Sequence, residues 1–498
     1  MNSPGVWAVC FSLLVGCAVG PDFVRPAPPT VDSYGATKPP PQLAPGSGES
    51  DQRLLVGQEI AAQWWELYRC PALDEAVRRA LAGSPTLAAA EATLAQAREA
   101  VIQARAAFYP QLIASGSAER HGAGHANANL FSLGPTVSYS PDVFGGTRRR
   151  VEQAAALAEG QDRRLAAAYL TLTGNVVSQA VTIAGVGREI AATEQIVADD
   201  EKNMVLVRTK FEAGKAAQTD VLVAESQLAN DRALLPPLRQ ALSAAEHAFS
   251  ILLGDFPASS PPPFTLEGLT LPGDLPVRLP SELVHARPDI LAAEADLHAA
   301  SAAIGIATAA MYPSITLSAS AGQAATTTGA FFDGASTFWS LASSVAAPLF
   351  VGGALTSQKR GAIDAFRASA AVYRETVLEA FAQVADTLDA LAHDAELVGD
   401  QRRALDVASR SLELERLSYA EGKATVLDLL NSERLDQQAR LGYARAQTLR
   451  YEDTTQLFVA MGGPWWRGQT PDPKAVPPER AIDDEARAHV EPSIAPMP

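Results

Sequence analysis

The apolar and polar positions of this chain change period in a fixed order. Residues 85 to 108 (PTLAAAEATLAQAREAVIQARAAF) are Ala-rich helix formers, and Pro110 stops the helix they predict. The period then falls from 3.6 to 2. Phe131, Leu133, Val137 and Tyr139 alternate with Ser132, Gly134, Thr136 and Ser138. Further on, Ile315, Leu317, Ala319 and Ala321 alternate with Ser314, Thr316, Ser318 and Ser320, and Trp339, Leu341 and Val345 with Ser340, Ala342, Ser344 and Ala346. These stretches predict strands with one apolar and one small polar face. A half-buried strand of a soluble sandwich alternates in the same way, and Pro135 fits poorly in a paired strand. From about Thr147 to Glu212 there is no Pro and the helical pattern is sustained. A helix of roughly 65 residues spans about 100 Å, longer than a globular domain can hold.

The same order recurs. Ala107-Phe108-Tyr109-Pro110-Gln111-Leu112 returns as Ala310-Met311-Tyr312-Pro313-Ser314-Ile315, and Pro141-Asp142-Val143-Phe144-Gly145-Gly146 as Pro348-Leu349-Phe350-Val351-Gly352-Gly353. Phe211-Glu212-Ala213-Gly214-Lys215-Ala216 returns as Tyr419-Ala420-Glu421-Gly422-Lys423-Ala424, with Asp220 and Glu225 matched by Asp428 and Glu433. Pro85 and Glu91 return as Pro288 and Glu294. The offset stays at about 205 residues, so two homologous halves lie in tandem. Each reads as helix, two strands, very long helix, turn and medium helix. The shorter helices, about 24 and about 35 residues, stack to about 90 Å, which matches one long helix. A cylinder wall of antiparallel helices needs that equality, with the strands at one end and the Gly-Lys turns at the other. In residues 400 to 421, Leu405, Ala408, Leu412 and Tyr419 have the spacing of coiled-coil packing. Four strands cannot close a membrane barrel, whose smallest examples have about eight, so a channel built from this chain must be oligomeric.

Composition narrows the function. Of the 498 residues 47% are hydrophobic and 19% charged, and the net charge is −16 without a long basic run, so nothing marks a nucleic-acid surface. Beyond the N-terminus no window has the roughly 18 uninterrupted apolar residues of a transmembrane helix, which leaves strands for any crossing of a bilayer. Val6 to Val15 is apolar and leads into Leu14-Val15-Gly16-Cys17, which resembles the lipobox of bacterial lipoproteins. A buried core segment with a chance Cys is the plainer reading, and the lack of Lys or Arg before Cys10 departs from the usual signal peptide. Ala18 after the Cys favours the outer membrane. With Cys10 removed and Cys17 lipidated, Cys70 is alone and no disulfide framework remains. No His-Glu-x-x-His, P-loop or Gly-x-Ser-x-Gly is present, and His121 and His125 flank glycines that make a helical metal pair improbable; no cofactor is expected. A periplasmic adaptor or coiled-coil lipoprotein is a further alternative, against which the doubled strand pairs argue.

In these residues the chain resembles the TolC and OprM type outer-membrane factors, in the lipoprotein branch related to NodT. The resemblance runs from Cys17-Ala18-Val19-Gly20-Pro21-Asp22-Phe23 and Trp64-Trp65 to about Gly463. It implies an α+β membrane protein: a trimeric outer-membrane β-barrel with four strands per chain, continued by a long periplasmic α-helical barrel. It implies a homotrimer that works with a periplasmic adaptor (membrane fusion protein) and an inner-membrane efflux transporter, of the RND class, and that meets outer-membrane lipid. A duct for type I protein secretion has the same fold. The implied division is a signal peptide at 1–16, a lipidated extended segment at 17–60, repeats at 61–254 and 281–463, an equatorial linker at 255–280 and a disordered tail at 464–498. Carried over by residue, Gly214, Lys215 and Thr219 with Gly422, Lys423 and Thr425 correspond to helix tips on which adaptor hairpins dock. Leu427, Asp428, Asn431, Glu433 and Arg434 correspond to the periplasmic aperture. Asn431 stands where the family often has a second acid, and Glu433 and Arg434 are candidates for ion pairs that hold the tips closed.

Overall fold

The computed structural model describes residues 18–35, 43, 52–123, 126–258 and 262–463. The stretches expected to be a signal peptide (1–16) and a disordered tail (464–498), with Cys17 and His125, lie outside the described residues. After β1 (Arg53–Val56) come a helical turn at Trp64–Tyr68, α1 (Pro71–Gly83) and α2 (Pro85–Ala106), then β2 (Gln111–Ala123) and β3 (Ala126–Tyr139). The long α3 (Gly146–Glu212) follows, then α4 (Gln218–Arg232), α5 (Leu235–Leu252) and β4 (Asp274–Val277). The second half contains α6 (Pro288–Ala309), β5 (Ser314–Ala325), β6 (Thr337–Ala346), α7 (Ala354–Ala420) and α8 (Val426–Met461). Both long helices have 67 residues, about 100 Å.

Glycines at positive φ mark equivalent points of the halves. Gly145, Gly214 and Gly254 are each followed 208 residues later by Gly353, Gly422 and Gly462. Gly145 and Gly353 cap the two long helices, so the motif pair ending at Gly146 and Gly353 is one residue out of step with the structure. Helix α2 and strand β2 start 203 residues before α6 and β5, so the longer β5–β6 connection absorbs the difference.

One helix departs from the expected symmetry. The helix of about 35 residues is continuous as α8 but broken between α4 and α5 in the first half. Pro236 and Pro237 lack the amides that would pair with the Arg232 and Ala233 carbonyls, and their rings crowd those carbonyls. Helix α6 is long and apolar enough by mean hydropathy to cross a membrane, although Asp289, Glu294 and Asp296 interrupt its apolar run. It is mostly buried between α3 and α7 as a core helix.

Strands β2, β3, β5 and β6 form one antiparallel sheet in that order. Its register aligns like faces: Leu112 opposes Val137, Val137 opposes Ala319, and Ala319 opposes Leu341. On the other face, hydroxyls pair as Ser117–Ser132 at 2.8 Å and Ser320–Ser340 at 2.7 Å. Ile113, Leu130 and Phe338 interrupt that polar face. Pro135 is tolerated because the β3–β5 ladder lapses at Gly134 and Pro135. Leu133, Val137, Leu317, Leu341 and Val345 are all exposed. A soluble sandwich would bury this apolar face, so that alternative fails.

The apolar core lies away from the sheet, where α1, α3, α5 and α8 meet; Trp64 stacks on Phe458 at 5.2 Å. There β1 pairs in parallel with β4, which ties the linker between the halves to the N-terminal segment. Residues 18–35 run without regular structure along α6. The Val19 amide meets the Phe144 carbonyl at the foot of the sheet, Phe23 stacks on His298, Arg25 pairs with Glu294 at 2.6 Å, and the Tyr34 hydroxyl reaches the Arg278 carbonyl.

Candidate functional site: the paired helix tips

The last carbonyls of a helix lack partners unless the chain folds back on them, and a left-handed residue just past the end allows this. Gly214 and Gly422 supply it at φ 69° and 78°. The Lys215 amide then reaches the Lys210 carbonyl, and the Lys423 amide the Ser418 carbonyl, each at 2.8 Å. Among the described residues nothing would meet a Cβ at either glycine, so the backbone conformation and not crowding calls for Gly. Below the tips, Val207, Val221, Leu412, Tyr419, Val426 and Leu429 form a small apolar cluster that joins hairpin α3/α4 to hairpin α7/α8. The Lys210 ammonium donates to the Tyr419 carbonyl and lies 3.6 Å from the centre of that ring. The structure therefore brings Gly214, Lys215 and Thr219 to the same end as Gly422, Lys423 and Thr425, with both lysines and both threonines exposed.

The returning helices start differently. Thr425 Oγ1 accepts from the Asp428 amide at 3.3 Å, and the Asp428 carboxylate accepts from the Thr425 amide at 2.9 Å and hydroxyl at 2.6 Å. This is a full capping box. The first half has only the return bond, from the Ala217 amide to Asp220 at 2.9 Å, because Ala217 has no side-chain acceptor. Hydrogen bonds from the Thr425 hydroxyl and then its amide hold the Asp428 carboxyl below its ordinary value. Leu427 and Asn431 are exposed beside Asp428, and Arg434 donates to the Asn431 side-chain carbonyl at 2.9 Å. Glu433 does not join them. Its position three and four residues from Asp436 and Leu429 turns it into the seam between helices, where it is buried 3.5 Å from Arg416 of α7.

That seam contains groups that motif reading passed over. Ile196, Asp200, Asn203 and Val207 of α3 are all buried, with the spacing of four, three and four that coiled-coil core positions have; Val426, Leu429, Glu433 and Asp436 of α8 show three, four and three. Carboxylates therefore occupy core positions, and the heptad register was the signal that could have found them. The Gln437 amide spans Asp200 at 3.3 Å and Asp231 at 3.1 Å, and Gln227 donates to Asp231 at 2.7 Å. Burial, then the neighbouring Asp231, pushes Asp200 up to about 8; burial pushes Glu433 up to about 7 against the pull of Arg416. At the far end of the helices, the buried Arg149 grips the Val19 carbonyl, Asp22 and Glu152 at 3.2, 2.7 and 2.8 Å. Nothing in the run Arg148-Arg149-Arg150 singles out that arginine.

Above the α3/α4 junction, α3 and α8 approach closely through glycines. A Cβ on Gly174 would stand 2.5 Å from Val459 Cγ2, and one on Gly185 2.4 Å from Thr448 Cγ2. At these two points α8 packs directly on α3.

The family described as outer membrane efflux protein matches residues 76–255 and 279–463, which are the two repeats. The pyoverdine export outer membrane protein OpmQ of Pseudomonas aeruginosa is 28% identical over 83% of this chain and 90% of its own length. Nodulation protein T of Rhizobium leguminosarum bv. trifolii is 27% identical over 93% of this chain and 97% of its own. Among solved structures, the outer-membrane channel OprN superposes with a TM-score of 0.81 at 26% identity, over 90% of this chain and all of that one. With both repeats matched in order and the two-ended architecture shared, this chain belongs to the outer membrane efflux protein family.

Proposed function

We propose that the chain is the outer-membrane exit duct of a tripartite efflux pump, working as a homotrimer that conducts small molecules passively from an inner-membrane transporter and a periplasmic adaptor to the exterior. The observation that carries this is the pair of unpaired sheet edges. Among the described residues nothing pairs with the outer side of β2 or β6, while the apolar face between them is exposed. Lipid tolerates neither an open edge nor an unsatisfied backbone, so β6 of one copy must meet β2 of the next. Three copies give twelve strands, with Leu317 and Leu341 toward lipid and the serine face toward water. The same three-fold ring places twelve helical columns beneath the sheet.

In this reading the tips at Gly214 and Gly422 receive the adaptor, a membrane fusion protein, and the transporter is of the RND class. Cys17 is lipidated and residues 1–16 are removed. Ala18, the first described residue, lies against Gly145 at the foot of the sheet, which supports this reading. Native mass spectrometry of detergent-extracted protein tests both parts. A trimer whose subunits start at an acylated Cys17 is expected. Monomer and dimer alone would overturn the assembly, and an unmodified Met1 would overturn the anchor.

A further inference from the structure

Four helices meet above the tips, and the carboxylates between them outnumber the cations. Helix α3 contributes Asp199, Asp200 and Asn203; α4 contributes Gln227 and Asp231; α7 contributes Ser409 and Arg416; α8 contributes Glu433, Asp436, Gln437 and Arg440. Arg440 is engaged by Asp436, which Ser409 also bonds. Arg416 lies between Asp199 at 3.7 Å and Glu433 at 3.5 Å. That leaves Asp200 and Asp231 facing each other across one amide, with no cation among their hydrogen-bond partners. Asp200 and Glu433 are both more than nine-tenths buried, and Oδ2 of the first and both oxygens of the second have no hydrogen-bond donor. Among the described residues no three acidic, His or Cys side chains converge as metal ligands.

Resting on the duct reading above, we propose that Asp200, Asp231 and Glu433 form a proton-controlled latch between hairpins α3/α4 and α7/α8. With protons bound, Asp200 can donate to Asp231 and the buried charge at the seam falls, so the two hairpins stay together. When the protons leave, Asp200, Asp231 and Glu433 are three like charges facing one cation, Arg416, which Asp199 shares; water enters, and the hairpins part at the tips. The direction follows from linkage. Solvated carboxyls titrate near about 4, so an opened seam releases protons that the closed one keeps. Raising the pH therefore favours opening. The bias grows from the ordinary carboxylate range up to the closed-state values of about 7 for Glu433 and about 8 for Asp200, and it is constant above them. Asp199 does not share this behaviour, since despite its burial Lys202 and Arg416 hold it below its ordinary value.

The test uses full-length protein in detergent, with Cys70→Ser as background and spin labels on Lys215→Cys and Lys423→Cys at the exposed tips. Distances between the labels are measured by pulsed electron resonance at about pH 6 and about pH 9, on either side of the closed-state values. The distribution should shift to longer distances at the higher pH. In Asp200→Asn with Glu433→Gln, whose amides imitate the protonated groups, it should stay short at both. Glu433→Gln alone should give a reduced shift and serves if the double variant does not fold. An unchanged wild-type distribution, or a variant that shifts as wild type does, overturns the latch. Oligomeric state and conductance of the same samples report separately on the duct, so loss of the trimer counts against that reading and not against the latch.

Discussion

Arginine scanning of β5 would establish which face of the sheet meets lipid. Ala319 lies five residues above the start of β5 at Ser314, between Val137 and Leu341. At about 3.4 Å per residue and a strand tilt of about 40°, it stands roughly 13 Å above the foot of the sheet. The apolar band of an outer-membrane barrel is about 25 Å tall, so Ala319 falls near its middle. Arg at the midplane costs about 2 to 4 kcal/mol per copy, or about 6 to 12 kcal/mol for three, comparable with the whole stability of a domain at about 5 to 15 kcal/mol. Ala319→Arg should therefore remove most of the trimer. Leu317→Arg, roughly 5 Å nearer the interface, should cost about two thirds as much, since the penalty falls from about 2 to 4 kcal/mol at the midplane to about 0 to 1 kcal/mol at the interface. Ser318→Arg and Ser320→Arg sit on the other face, beside Ser138 and Thr136, and should leave the trimer intact while lowering cation conductance. The assay is the heat-resistant trimer band of outer-membrane preparations, followed by bilayer recording. Greater loss of trimer from the serine variants than from Ala319→Arg would refute the facing.

Four further outcomes follow from local geometry. Thr425→Ala removes both the acceptor and the hydroxyl donor of the capping box, so amide exchange at residues 426 to 428 should quicken about 2- to 30-fold, the range of a lost N-cap. Because the Asp428 carboxyl is held below its ordinary value, its bonds to Thr425 should persist as pH falls through the usual aspartate range and be lost only in more acid solution. Gly185→Ala should lower the thermal midpoint despite its better helix propensity, because its Cβ meets the rigid Thr448; Gly187→Ala, with nothing nearby in the protomer, should raise stability by about 0.5 to 1 kcal/mol. Single-channel recording of Asp428→Asn and Asn431→Asp tests the aperture assignment: if neither alters block by multivalent cations, Asp428 is a helix cap and does not line the pore.

Most of the fold was legible because long-range features repeat. The period change at Pro110, the Pro-free run from Thr147 and the recurring Gly-Lys turns each have a local cause, and their duplication removes ambiguity between them. Part of what escaped had no periodic mark. The parallel pairing of β1 with β4 joins segments about 220 residues apart, and only the folded core around Trp64 and Phe458 brings them together. The break at Pro236 and Pro237 was written in the sequence, but the repeat symmetry argued for a continuous helix, and local chemistry prevailed. Glu433 shows the same contest at the site. Beside Arg434 it reads as a surface ion-pair member, whereas its heptad position puts it in the seam.

In the proposed ring of identical chains, the differences between the halves bear on how the hairpins move. If α4/α5 and α8 were equivalent, the two columns would respond alike to a partner at either tip. They are not. The α4/α5 column has a two-proline interruption above Asp231, where Pro236 and Pro237 supply no amide to the preceding turn and the helix can change direction without losing those bonds. Helix α8 has no such joint, and its first turn is fixed by Thr425 and Asp428. Bending is thus confined to the first repeat, while the second keeps a stiff column from tip to core, held to α3 at Gly174 and Gly185. The latch residues lie between these two behaviours: Asp231 is on the jointed side, Glu433 on the stiff one and Asp200 on the long helix between them. A force that separates the hairpins should then swing α4 away from α8 below the prolines. Replacing Pro236 and Pro237 together with Ala restores the amides and should make that column continuous. It should narrow the distance distribution between tip labels at high pH without changing it at low pH. Equal narrowing at both would place the flexibility elsewhere.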